Sequence, residues 1–356
     1  MDLRFELLPS DQWKALTREW DGLNATLGGS PVLSFDFVSA CVRHFAAGDV
    51  HMAIARTDAG ATVAAAIGHF PAPGRWSTLQ IAQAPLAFWL SKPELPVPEL
   101  LAALVASAAR VILVASIPQL DPAIIPIDFG DARVRMDPYI PTARIDVEGE
   151  WQSYWAGRGK NLKANHRKAM KRATQAGWEV ELSVSQTPDE LIGAVGCYGD
   201  LESKSWKAEV GTAVARENSQ GKFFADLLGT LAATDRARAY TLLIDGKAAA
   251  IDLCVQSDDC LVVLKTTYSL DFKEMSPASL LRELYFEKVF DEGRIRRIEF
   301  YGRVMDWHTK WTSEIREIQH LTWYRFSALR RVHSALRALS RPMELQRVTC
   351  PSSQPH

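Results

Sequence analysis

The sequence predicts an α+β protein of two mixed-sheet domains with helices on both faces. Three observations lead there. The chain has 356 residues, which at roughly 150 residues per domain suggests two domains, or one large one. A cadence of helices, a hairpin, a third strand, a helix and a further strand is legible twice along it. Between the two passes, Pro118, Pro122, Pro126, Pro138 and Pro141 punctuate a stretch of weak periodicity. Proline breaks helices and central strands alike, so this stretch predicts a connector, with a boundary near Val147. The expected division is an N-terminal domain over 1–147, a C-terminal domain over 148–326, and a basic amphipathic helix with a tail over 327–356.

In the first half, Trp13, Leu16, Trp20 and Leu23 recur at helical spacing, so 11–27 reads as a helix. Ser34 suits the N-cap of a second helix, 35–45. The runs 51–56 and 62–70 flank the turn Asp58-Ala59-Gly60 and read as a hairpin, with a further strand over 75–81. The apolar stretch from Leu100 to Pro118 carries Arg110 near its middle and β-branched residues only after it. It therefore predicts a helix, 97–110, running into a buried strand, 111–117, rather than a membrane span.

In the second half, 151–176 reads as one strongly basic helix and 178–184 as a strand. Helices over 189–206, entered at Thr187-Pro188, and 222–236 follow. A three-stranded meander (240–244, 248–255 and 261–268) turns at Asp245-Gly246-Lys247 and Ser257-Asp258-Asp259. A helix over 277–292 and strands over 296–301 and 317–326 complete the pass. The halves show no sequence identity, so the repeated cadence is compatible with a divergent duplication without establishing one.

With 41 Lys and Arg against 42 Asp and Glu, the net charge is −1. That argues against a globally basic nucleic-acid binder and against a charge-driven disordered chain. Five cysteines without a Cys-x-x-Cys pair suggest a reducing compartment, with no disulfide framework or structural zinc site. Met1–Ser10 carries Asp2, Arg4 and Glu6 and does not read as a signal peptide. A cytoplasmic location is expected, peripheral to the inner face of the membrane if the C-terminal helix engages lipid.

Five strings carry a likeness to a known family. They are Lys160-Asn161-Leu162-Lys163-Ala164-Asn165-His166-Arg167-Lys168 running through Lys171-Arg172 to Gly177; Glu202-Ser203-Lys204-Ser205-Trp206-Lys207; Asp245-Gly246-Lys247-Ala248-Ala249-Ala250; Tyr268 followed by Ser276-Pro277-Ala278-Ser279-Leu280-Leu281; and Phe300-Tyr301-Gly302 followed by Trp307 and Lys310-Trp311. In order and spacing, across roughly 151–323, they resemble the GNAT acyltransferase superfamily. The likeness is closest to the branch with the cellulose-biosynthesis-type acetyltransferase domain and the Fem aminoacyl transferases. Two positions depart: Ala278 stands where the family commonly has Gly, and Thr309-Lys310 where it commonly has Tyr-Lys.

The resemblance implies two GNAT-like domains and an acetyl-CoA or other acyl-CoA donor, with no metal. The pyrophosphate would sit between the strand 261–268 and the N-terminus of the following helix, where unpaired N–H groups favour an anion. Thr266, Thr267, Lys273, Ser276, Ala278, Ser279 and Leu280 become the cofactor-binding candidates. Ser276-Pro277 equally suits an ordinary N-cap and first helical position. Trp206, Lys207, Tyr301 and Lys310 become acceptor-binding candidates. The acceptor implied is an amine on a sugar or a cell-envelope or exopolysaccharide precursor.

Acyl transfer to an amine needs a proton acceptor, stabilisation of the carbonyl oxygen and, for some leaving groups, an acid. His308 and Asp306 lie just past the last core strand of the pass, and an imidazole suits the base role. Tyr268 ends the cofactor strand and suits the acid for the leaving thiolate; it equally suits a core tyrosine. Asp252 interrupts an apolar strand and needs a partner if it faces inward. Glu202, on a helix near Trp206, suits an amine-binding carboxylate or a surface charge. No acid lies between Glu150 and Glu179, so 158–172 forms a cationic face. It is a solvated face, or a contact for CoA phosphate, an anionic glycan or lipid, or tRNA in a Fem-type aminoacyl transfer. A catalytically inactive accessory protein of exopolysaccharide synthesis is a further reading. Phe326, Leu329, Val332, Leu336 and Leu339 form an apolar stripe among arginines over 325–341, which suits a membrane surface or a partner groove, or packing on the main domain.

Overall fold

The computed structural model describes residues 3–127, 130–203, 214 and 217–344. The first half runs β1 (Arg4–Pro9), α1 (Thr17–Thr26), α2 (Phe35–Phe45), β2 (Val50–Arg56), β3 (Thr62–Ala72), β4 (Gly74–Thr78), β5 (Trp89–Ser91), α3 (Val97–Ser107), β6 (Ile112–Leu120) and β7 (Val134–Asp146). The second runs α4 (Trp151–Ala156), α5 (Lys160–Ala176), β8 (Val180–Ser185), α6 (Pro188–Ser203), α7 (Ser219–Ala232), β9 (Ala237–Ile244), β10 (Lys247–Gln256), β11 (Cys260–Tyr268), α8 (Pro277–Glu292), β12 (Arg297–Glu299), α9 (Asp306–Thr309), β13 (Ile315–Tyr324) and α10 (Ser327–Glu344).

The strands form one mixed sheet in the order β1-β2-β3-β4-β6-β13-β7-β12-β11-β10-β9-β8, with β5 alongside β3. On each side of the central β13–β7 pair the topology is the same. An antiparallel meander ends in a strand that pairs in parallel with the next one, β4 with β6 and β11 with β12, and a helix joins each parallel pair. The two middle strands are exchanged. β7 pairs with β12 of the second half (Ile298↔Ile145), and β13 pairs with β6 of the first (Leu321↔Ile117). The repeated cadence thus becomes a repeated topology, and β13 completes the sheet of the first half.

The proline stretch is not a plain connector. Pro138 and Pro141 lie inside β7, a 13-residue strand. They fit because β7 pairs with β12 only over Arg144–Asp146, leaving its earlier residues a ladder on one side alone among the described residues, and because the register slips between Ile318 and Gln319 opposite them. Edge positions and bulges are where a strand accepts proline. The basic helix expected over 151–176 is two helices, α4 and α5, parted by Gly157-Arg158-Gly159. The helix-to-strand reading of 97–117 holds as α3 and β6, and among the described residues no helix is long and apolar enough to cross a membrane. Ser34 caps α2 by accepting the Phe37 N–H.

One core spans both halves. Leu33, Phe37 and Cys41 from around α2 pack with Phe223, Leu227, Leu253 and Val262 on one face of the sheet. His44 Nε2 sits 2.9 Å from Asp226 Oδ2 at the rim of that contact. On the other face, α3 and α8 each cover their own half. In the first half, Gly68 faces the Trp76 indole so closely that a Cβ there would fall 2.4 Å from its ring. The indole is 1% exposed and donates to His51 Nε2 at 2.9 Å. Gly68→Ala is expected to lower stability by roughly 1–3 kcal/mol through overpacking, read as a lower melting temperature with the native fold retained.

Candidate active site

The parallel pair β11–β12 covers only Cys260–Val262 against Arg297–Glu299. Beyond Val262, β11 keeps β10 as its only strand partner among the described residues. The stretch Val263–Tyr268 therefore has one unladdered edge, and it leads through Ser269–Met275 to the N-terminus of α8.

Asp252, on β10, is fully buried. Its carboxylate accepts from Arg282 Nε at 3.2 Å and from the Tyr285 hydroxyl at 3.0 Å. Arg282 also donates to Thr266 Oγ1 at 2.7 Å, and its guanidinium lies 3.9 Å from the Trp307 ring. Asp252 is thus the internal counter-ion of α8, not a group that meets a reactant, and Thr266 spends its hydroxyl on the same network. On the strand's other side, the buried Tyr198 hydroxyl lies 3.0 Å from Glu202 Oε1 and 3.2 Å from the Thr266 carbonyl. Glu202 is 1% exposed and also accepts the Val214 N–H at 2.7 Å. Burial and the adjacent Glu202 push the Tyr198 phenol above its ordinary value. Glu202 is therefore a buried carboxylate that fastens the chain entering α7, not a surface charge.

At the α8 terminus, Ser276 takes the left-handed conformation (φ +48°), which costs a non-glycine residue about 1–2 kcal/mol. Its carbonyl accepts from the Ser279 and Leu280 N–H groups, at 2.9 and 3.1 Å. Its hydroxyl makes no capping bond and is exposed. The turn places its left-handed residue at 276, and Ala278 keeps a negative φ, so no glycine is needed there. Ser279 is committed elsewhere. Its hydroxyl lies 2.8 Å from His166 Nε2, and His166 Nδ1 is hydrogen-bonded to Glu283. A carboxylate at Nδ1 favours a proton on that nitrogen, and His166 thereby links Glu283 to the Ser279 hydroxyl. His166 is 2% exposed and stacks on Trp155, whose ring centroid is 5.3 Å away. This contact draws the basic α5 alongside the α8 terminus, and Arg172 of α5 reaches the Glu274 carbonyl at 3.1 Å. Lys160, Arg167, Lys168 and Lys171 stay exposed on α5.

The remaining candidates divide. Tyr268 is 43% exposed at the end of β11, and Lys273 is exposed on the following turn. Thr267 and Leu280 are buried; the Leu280 side chain belongs to the α8 core and its N–H is already taken by the Ser276 carbonyl, so Leu280 is a packing residue rather than a cofactor ligand. Tyr301 is 6% exposed with φ +42°, and the Arg316 guanidinium lies 5.4 Å from its ring; it is a packed core side chain rather than an acceptor-binding rim. Asp306 and Lys310 are exposed at the two ends of α9. Trp206 and Lys207 lie outside the described residues. Among the described residues, no group of three or more His, Cys, Asp or Glu side chains has metal-holding geometry.

His308 is 3% exposed; its Nδ1 accepts the Met305 N–H at 2.9 Å, and its ring stacks 3.5 Å from Trp307. Burial and then the Arg282 charge lower its pKa to about 4. A general base works best with a pKa near the working pH, so this buried capping imidazole is poorly matched to that role. In the first half, burial lowers His51 to about 4 as well. Both rings are neutral in the folded protein where the unfolded chain, at about 6.5, begins to protonate. The contribution of these two rings is therefore complete above about pH 6.5 and falls as pH drops toward 4, by at most about 1.4 kcal/mol per pH unit for each ring. Denaturant midpoints measured between pH 7 and 4 check this, and His308→Asn is expected to flatten the slope.

Residues 160–309 match the family model of the acetyltransferase (GNAT) domain. No curated protein matches the chain. Among solved structures, FemX superposes with a TM-score of 0.56 at 10% identity, covering 89% of this chain and 98% of that one. The C-terminal domain of a putative lysylphosphatidylglycerol synthetase from Agrobacterium fabrum superposes with a TM-score of 0.52 at 17% identity, covering 92% and 95%. A tandem GNAT protein from the clavulanic acid biosynthesis pathway gives 0.49 at 15% identity, covering 90% and 98%. The first two share the fold over nearly the whole chain. Residues 160–309 thus carry the likeness to a GNAT acetyltransferase domain, within one mixed sheet flanked by helices, and the first half of that sheet repeats the topology of the second.

Proposed function

We propose that the chain transfers an acyl group, acetyl in the simplest case, from acyl-coenzyme A to an amine on a sugar or a cell-envelope or exopolysaccharide precursor. The observation that carries this reading is the unladdered edge of β11 leading to the α8 terminus beside a cationic helix. An amide-bearing pantetheine arm can hydrogen-bond an open strand edge, and the exposed Ser276 hydroxyl, the α8 terminus and the α5 cations suit phosphate. His166 and Glu283 act as positioning residues by holding α5 against that terminus.

Transfer proceeds by direct attack within a ternary complex. The neutral amine attacks the thioester carbonyl, the C–S bond breaks, and the amine proton passes to water. In this reading Tyr268, exposed at the end of β11, donates its hydroxyl proton to the leaving thiolate and regains one from water. The acceptor class, and with it the cellulose-biosynthesis likeness, rests on the motif resemblance. The exposed cations of α5 also suit tRNA, which makes aminoacyl transfer the second reading. A thiol-release assay with acetyl-CoA and a panel of amino sugars tests the first. Acceptor-dependent thiol release that Tyr268→Phe slows supports it. No release with any amine, together with amide formation from an aminoacyl-tRNA, replaces it with the second.

A further inference from the structure

We propose that α10 docks the protein on an anionic lipid surface. The helix follows β13 directly and is tied to the body along one side. The Tyr324 hydroxyl is hydrogen-bonded to His333, and Arg330 Nη1 donates to the Ala132 carbonyl at 2.8 Å. Large apolar side chains at its start are turned elsewhere. Phe326, just before it, is 56% exposed, and Val332 and Leu336 are each 58% exposed. With Leu329 and Leu339 they recur at spacings of 3, 3, 4 and 3, which makes one stripe along a helix.

Charge identifies the occupant. Between Glu317 and Glu344 the sequence has no acidic residue and five arginines, at 325, 330, 331, 337 and 341. An apolar stripe whose charged neighbours along the helix are all arginines is complementary to the interface of an anionic bilayer, where the stripe enters the acyl boundary and the arginines meet phosphate. A second copy is a poor occupant, because paired α10 helices would bring four arginines against four, with no acid before Glu344 to answer them. A spanning role is excluded by the same arginines. The docking requires nothing of the acyl-transfer site, so its test is independent of that reading.

Flotation of the full chain with phosphatidylcholine vesicles, with and without phosphatidylglycerol, tests the proposal. Binding is expected only with phosphatidylglycerol, weakening as salt is raised. Val332→Asp and Leu336→Asp are each expected to weaken it by about tenfold or more at unchanged melting temperature, with Val332→Ser and Leu336→Ser as milder variants. Arg331→Lys is expected to retain it and Arg331→Glu to weaken it. Equal binding to both vesicles, or to neither, overturns the proposal. So does a concentration-dependent dimer, seen by sedimentation, that Val332→Asp abolishes.

Discussion

Asp252→Ala is expected to lower stability by about 3–5 kcal/mol, because it strands a buried guanidinium without its counter-ion. The Arg282 side chain is only 4% exposed and that of Asp252 is fully buried. Arg282 would keep Thr266 as a partner and the Trp307 face, neither of which carries a formal charge. Arg282→Met alone is expected to cost a similar amount, since among the described residues it leaves the buried carboxylate with Tyr285 as its one side-chain partner. The double variant Asp252→Ala, Arg282→Met is expected to lose much less than the sum, because no charge is left unpaired. Urea midpoints for the four proteins close this cycle. Additive losses would show that the pair is not coupled and would reopen a chemical role for Asp252.

The second large effect lies where the halves are stitched. Arg316, on the exchanged strand β13, reaches Asp121 after β6 at 2.7 Å and Glu299 at the end of β12 at 2.9 Å. The two carboxylate side chains are 1% and 5% exposed. Burial raises the pKa of Glu299, and Arg316 offsets part of that rise. Arg316→Met leaves two buried carboxylates facing each other, with an expected loss of about 3–5 kcal/mol at neutral pH. The sign of its pH dependence follows. Glu299 binds its proton more tightly in the folded chain than in the unfolded one, so its contribution to stability is fullest below the unfolded value of about 4.5 and is lost as pH rises through the raised folded value. The variant's deficit relative to the parent is therefore expected to shrink on acidification. Denaturant midpoints of both proteins at neutral and mildly acidic pH read this; a deficit that grows as pH falls would contradict it.

Much of the layout was legible because it is written in local pattern. Ser34 with the helix it caps, the Asp58-Ala59-Gly60 hairpin and the Asp245-Gly246-Lys247 turn are short-range signals that the packing leaves intact. The exchange of β7 and β13 was not legible, because which strand completes which sheet is a long-range pairing that no local pattern encodes. Pro138 and Pro141 misled for the same reason: among the described residues that stretch of β7 has a strand ladder on one side only, which tolerates them, and only the topology shows it.

The site was legible at the level of its strand–turn–helix frame and not at the level of its polar partners. Asp252 in an apolar strand signalled a need for an internal counter-ion, and Arg282 is the only cation between Ser276 and Lys288. That pairing was available from the sequence and was missed. His166 was hidden inside a run of cations, where its burial and its link to Ser279 and Glu283, more than 110 residues away, leave no local trace. His308 carried the right chemistry for a base in a promising loop, but desolvation and a cap bond to Met305 cannot be read from residue type.

The most direct test of the central claim is calorimetric titration of the protein with acetyl-CoA, with desulfo-CoA and tRNA as comparison titrants. The account predicts micromolar binding of acetyl-CoA, retained with desulfo-CoA and weakened by about tenfold or more in Ser276→Glu, which places a negative charge at the α8 terminus. Absence of binding to either CoA compound, with salt-sensitive binding of tRNA, would contradict it.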